Sequence, residues 1–70
     1  MSNIMNRFIE TIRLERLGQG LSYRDLANLA GCSHTTIYNI EHGAYMPTLE
    51  SADKILKALG LSITIGSDAG

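Results

Sequence analysis

The stretch GCSHTTIYNIEHG, residues 31–43, is dense in hydrogen-bonding side chains and carries one formal charge, on Glu41. A helix advances about 100° per residue. Drawn from residue 34 onward, it puts Ile37 and Ile40 on one edge and His34, Thr35, Tyr38 and Asn39 on the other. An amide such as Asn39 can bond adenine at two points, and a threonine brings a hydroxyl and a methyl that suits thymine. A good bidentate contact of this kind discriminates between bases by about 1–3 kcal/mol. The chemistry suited to such an edge is the reading of base edges rather than the gripping of phosphates. The competing reading of the same four residues is a plain solvated helix face.

Such a helix must be held by others, and the punctuation of the chain shows where they lie. Ile4, Met5, Phe8, Ile9 and Ile12 repeat at helical spacing, and Gly18 and Gly20 stop this first helix near residue 17. The same apolar face continues to Arg16, an unusual place for a guanidinium. Ser22 followed by Asp25 forms a capping pair for a second helix, with Leu26, Ala27, Leu29 and Ala30 as its apolar positions. Gly31 ends it, and Ser33 caps the third helix two residues later. Two short helices joined by a tight, glycine-containing turn are the helix-turn-helix layout. Gly43 closes the third helix and Pro47 fixes a loop. Thr48 caps a fourth helix through Leu49, Ala52, Ile55, Leu56 and Leu59, which Gly60 terminates. In this arrangement Leu26, Ala30, Cys32, Ile37 and Ile40 fall where two crossed helices share a core.

Composition removes several function classes. The chain has 70 residues, one domain at most. A chain this short buries only about 60% of its unfolded surface. One cysteine, Cys32, allows no internal disulfide, and no Cys/His cluster has zinc spacing, so neither metal nor cofactor is expected. Oligomerisation is the remaining common route to stability. The apolar fraction of 44% suits a compact globule. No apolar run reaches the roughly 18 residues that span a bilayer, and no signal-peptide pattern opens the chain. A cytoplasmic protein without a membrane partner is therefore expected. An enzyme is not: His34 and His42 lie about two turns apart, Cys32 takes a core slot, and no triad or Gly-rich phosphate loop is present. The net charge is −1, so any contact with nucleic acid depends on where charges lie and not on their sum. Between residues 22 and 43 there is one Arg, no Lys and two acids. Arg24 is a candidate phosphate clamp, or else an idle surface arginine. Ser22 and Ser33 cap helix N-termini, where free N–H groups also favour phosphate oxygens. With Tyr23, Thr36, His42 and Tyr45 they complete the candidate DNA-backbone set.

Residues 8–60 resemble the Cro/repressor-type helix-turn-helix family, also called the Xre family. The resemblance is carried by Ile12, Arg16, the GLS of residues 20–22, Leu26, Ala27, Gly31, Ile37, Ile40, Glu41, Gly43 and the PTLE that begins at Pro47. It implies an all-α, lambda-repressor-like DNA-binding domain of four short helices whose third helix lies in the major groove. It also implies that Arg16 and Glu41 pair as a structural ion pair, since an unpaired buried guanidinium is very costly. Tyr23 departs from the family pattern, which usually has glutamine in that slot.

The tail changes period. In LSITIG, Leu61, Ile63 and Ile65 alternate with Ser62 and Thr64, a strand pattern. A lone strand needs a partner, and the simplest is the same strand from a second copy, paired antiparallel across a two-fold axis. The alternative is a frayed tail. The expected organisation is a DNA-binding domain over residues 1–60, a dimerisation strand over 61–66 and a flexible tail over 67–70. A homodimer would read a palindromic operator with half-sites about 34 Å apart. The run ILKALGLSITI resembles the end of HipB-type antitoxins. That likeness implies a repressor that controls its own toxin–antitoxin operon and binds a HipA-type kinase toxin. A phage or restriction–modification type regulator without a toxin is the alternative, as is an interaction module that does not bind DNA. Leu14 and Leu17 fall away from the main face of the first helix, as a contact surface or as ordinary exposed leucines.

Overall fold

Ser22 and Asp25 begin the second helix reciprocally. The Ser22 hydroxyl accepts from the Asp25 N–H at 3.0 Å, and the Asp25 carboxylate accepts from the Ser22 N–H at 3.0 Å. This capping box satisfies two backbone donors that the first turn leaves without partners. Ser33 and Thr48 repeat half of the device, accepting from the N–H groups of Thr36 and Ser51. The computed structural model describes residues 3–61. Their helices are α1 (Asn3–Gly18), α2 (Tyr23–Ala30), α3 (His34–Glu41) and α4 (Leu49–Ala58). The first runs one residue past the expected stop.

The turn between α2 and α3 depends on Gly31, whose φ of 77° lies in the left-handed region. From there Cys32 donates its N–H to the Ala27 carbonyl at 3.0 Å, closing the end of α2 before Ser33 opens α3. Leu26, Ala27 and Ala30 of α2 meet Ile37 and Ile40 of α3, Ile12 of α1, Ile55 and Leu56 of α4, and Leu59 just past its end, in one core. Cys32 is only partly buried and packs at its margin. Gln19 donates to the Leu59 carbonyl at 2.8 Å, tying the end of α1 to the end of α4.

Three apolar positions expected on core faces are not in the core. Ile4 is 81% exposed, Leu29 61% and Leu49 64%. Ile4 lies in the first turn of α1 and lines a shallow apolar depression with Phe8, Met46, Leu49 and Leu56. Leu29 follows the buried run of α2 onto its outer side. Leu14 and Leu17 are exposed, as their spacing predicts. No strand is present among the described residues. Leu61 packs half-buried against the core, while Ile63 and Ile65, and with them most of the expected dimerisation strand and tail, lie outside the described residues.

Ser22→Ala is expected to destabilise the domain by about 1 kcal/mol. The Asp25 carboxyl is held below its ordinary range by the hydrogen bonds from Ser22. A depressed carboxylate stabilises the fold above its unfolded value and loses that contribution as pH falls through the folded one. Melting curves of Asp25→Asn and wild type should therefore differ at neutral pH and converge in acid.

Candidate nucleic-acid interface

Capping, turn and core together fix the orientation of α3. Ile37 is 0% exposed and Ile40 1%, so the opposite edge faces outward. His34 and Thr35 are exposed there, Tyr38 is 46% exposed, and Asn39 is half-buried. Among the described residues, no hydrogen bond or ring contact engages the side chains of His34, Thr35 or Asn39. All four candidate base readers thus share one accessible edge, as the spacing predicts.

The candidate backbone set is spread around this edge. Arg24 is exposed at the start of α2, beside half-buried Tyr23. Ser22 and Ser33 lie at the two helix starts, and both hydroxyls cap. The Ser22 N–H is already taken by Asp25, which leaves it unavailable to a phosphate. Thr36 is half-buried, its hydroxyl 2.9 Å from that of Ser33. His42 and Tyr45 are exposed beyond the end of α3.

Behind the edge lies the ion pair. Arg16 Nε donates to one Glu41 carboxylate oxygen at 2.6 Å and a terminal nitrogen to the other at 3.0 Å. Arg16 is 7% exposed and Glu41 2%. The other terminal nitrogen of Arg16 donates to the Leu21 carbonyl at 2.9 Å. The bond to Glu41 raises the guanidinium pKa above its ordinary value, against the opposing effect of burial. The pair joins the last turn of α1 to the last residue of α3, so the angle of α3 is fixed from behind.

Arg13 was not foreseen. Its guanidinium donates to the Glu41 carbonyl at 2.6 Å, and its Nε lies 3.8 Å from the Glu41 carboxylate. A cation on the last carbonyl of α3 also offsets the negative end of the helix dipole. The signal was present in the sequence, because Arg13 precedes Arg16 by three residues and shares its side of the helix.

An aromatic group completes the site. The rings of Tyr38 and His42 stack with centroids 3.9 Å apart and planes at 18°. Tyr23 meets Tyr38 in a T-shaped contact at 5.4 Å and 74°. The Arg16 guanidinium carbon sits 4.3 Å from the centre of the Tyr23 ring. The i, i+4 spacing of Tyr38 and His42 hinted at the stack; the role of Tyr23 did not show before the helices were placed.

Residues 12–65 match the profile of the helix-turn-helix family. The chain belongs to that family. Within it the protein is of the Xre type. A 49-residue segment, 70% of the chain, is 41% identical to the HTH-type transcriptional regulator PuuR of Escherichia coli (strain K12), and covers 26% of that protein. A 54-residue segment is 39% identical to a putative HTH-type transcriptional regulatory protein of Aeropyrum pernix, covering 77% of this chain and 16% of that one. The chain thus spans about a quarter or less of the curated relatives it matches. The crystal structure of the wild-type restriction–modification controller protein C.Esp1396I superposes with a TM-score of 0.81 at 29% identity, over 89% of this chain and 80% of that one. The same controller as a tetramer in complex with its natural 35 base-pair operator gives 0.80 at 29% identity, over 89% and 82%. In this family member α2 and α3 are the helix-turn-helix pair, and the Arg16–Glu41 pair anchors its second helix to α1. Among the described residues no helix is long and apolar enough to cross a membrane.

Proposed function

We propose that this helix-turn-helix protein is a sequence-specific, DNA-binding transcriptional regulator that inserts α3 into the major groove. The observation that carries the reading is the polar edge of α3, set opposite two buried isoleucines and fixed from behind by Arg16 and Glu41. The operator complex of the controller protein, and the regulators among the relatives, support it. In this reading His34, Thr35, Tyr38 and Asn39 face the bases, and Arg24, Ser33, His42 and Tyr45 face the phosphates. The protein acts as a repressor and binds a near-palindrome as a homodimer. The restriction–modification reading is favoured by the likeness to C.Esp1396I. The antitoxin reading, with a kinase toxin as partner, rests on the resemblance of residues 55–65 alone.

Fluorescence anisotropy on duplexes selected from a random pool tests the proposal. A regulator enriches a two-fold-symmetric sequence and prefers it over scrambled duplex; an interaction module enriches none. With Arg24 the single Lys or Arg between residues 22 and 43, few counterions are released on binding. The log–log dependence of affinity on salt should be shallower than that of a basic repressor making 6–10 charged phosphate contacts, and no steeper than about −8 for the dimer. A steeper slope would show that charges elsewhere in the protein carry the contact.

A further inference from the structure

We infer that Tyr38 is a positioning residue rather than a base reader, and that base selection belongs to Thr35 and Asn39, with His34 at the leading end of α3. This assignment rests on the DNA-binding reading and narrows it. Tyr38 is the fourth of five members in a chain of contacts that starts in the core. Glu41 holds Arg16, the Arg16 guanidinium lies against Tyr23, Tyr23 meets Tyr38, and Tyr38 stacks on His42. The last contact is locked a second way, since His42 Nδ1 donates to the Tyr38 carbonyl at 2.8 Å. To stack on a base through the face that meets His42, the Tyr38 ring must give up that contact. Thr35 and Asn39 have nothing to leave.

The direction of the side chains agrees. With Ile37, Ile40 and Glu41 buried at the back of α3, helical spacing puts Thr35 and Asn39 nearest the outward normal. Tyr38 falls to one side, toward Tyr23 on α2. Its ring therefore bridges the two helices of the motif at their outer rim. This is a place where a contact sets the angle between them and the position of His42 beside the DNA backbone. A side chain in that role changes how well every duplex is held. It does not change which duplex is preferred.

The test compares wild type, Tyr38→Phe, Tyr38→Ala and Asn39→Ala on the selected duplex and on each of its single-base-pair variants. Tyr38→Phe keeps both rings in place and should preserve the wild-type ranking of duplexes. Tyr38→Ala should weaken binding to all of them by a similar factor. Asn39→Ala should flatten the preference at one base pair per half-site, by about tenfold. Proton NMR supplies a readout that needs no DNA. The His42 ring protons should show a ring-current shift in wild type and Tyr38→Phe, and lose it in Tyr38→Ala. If either Tyr38 variant selectively flattens one base pair, the assignment is overturned. The same holds if the His42 shift is absent from wild type. If wild type prefers no sequence at all, the DNA reading falls and the base-selecting roles of Thr35 and Asn39 fall with it. The NMR arm then still decides whether Tyr38 holds the stack.

Discussion

Arg16→Ala is expected to lower the stability of the domain by about 3–5 kcal/mol, the range for removing one partner of a buried ion pair. The variant leaves the Glu41 carboxylate buried without its guanidinium. It also removes the donor to the Leu21 carbonyl and the cation against Tyr23. Stabilities near 0.05–0.15 kcal/mol per residue make such a loss comparable to the whole margin of a chain this short. At about 4–8 °C per kcal/mol, the melting temperature should fall by roughly 15 °C or more. Arg13 is the cation placed to compensate, and it is half-exposed, so its contribution is screened. Arg13→Ala should accordingly cost more in the Arg16→Ala background than in wild type. The size of the effect reflects a stranded charge and not the net worth of the pair. Replacing both members, as Arg16→Met with Glu41→Leu, should recover much of the loss. Thermal melts of wild type and the four variants test this, and an Arg16→Ala protein within about 0.5 kcal/mol of wild type would show that Glu41 finds another partner or water.

The parts of this structure that could be read in advance are those decided within a few residues. Ser22, Ser33 and Thr48 cap because a hydroxyl at that position reaches an N–H three residues on, whatever packs nearby. Gly31 ends α2 because the chain there needs a positive φ. The outward edge of α3 follows from the positions of Ile37 and Ile40 alone. The limits are equally physical. Periodicity says which side of a helix is apolar, but not whether another element reaches it, and Ile4, Leu29 and Leu49 are exposed for that reason. The edge-to-face contact of Tyr23 with Tyr38 joins two helices, so neither helical repeat contains it. The partnership of Arg16 with Glu41 came from family resemblance, since 25 residues separate them. Once the helices are placed, the same bond explains why an arginine can continue an apolar face.

Ile37→Ala should cost about 2–5 kcal/mol, from lost transfer energy and the cavity left beneath α3. Ile37 is wholly buried among residues of α1, α2 and α4. The variant separates folding from reading. Its outward edge is untouched, so the folded fraction should keep the wild-type duplex preference while total affinity falls with the unfolded fraction. A ligand that binds only the folded state restores stability, by about 2.7 kcal/mol at one hundred times its Kd. Excess selected duplex should therefore raise the melting temperature of Ile37→Ala, and scrambled duplex should do so far less. Thr35→Ala is the complementary case. It should melt within about 0.5 kcal/mol of wild type, as exposed substitutions usually do, yet gain less from the selected duplex. If instead the selected duplex failed to stabilise Ile37→Ala while Thr35→Ala behaved as wild type in every respect, α3 would be holding the domain together without touching DNA.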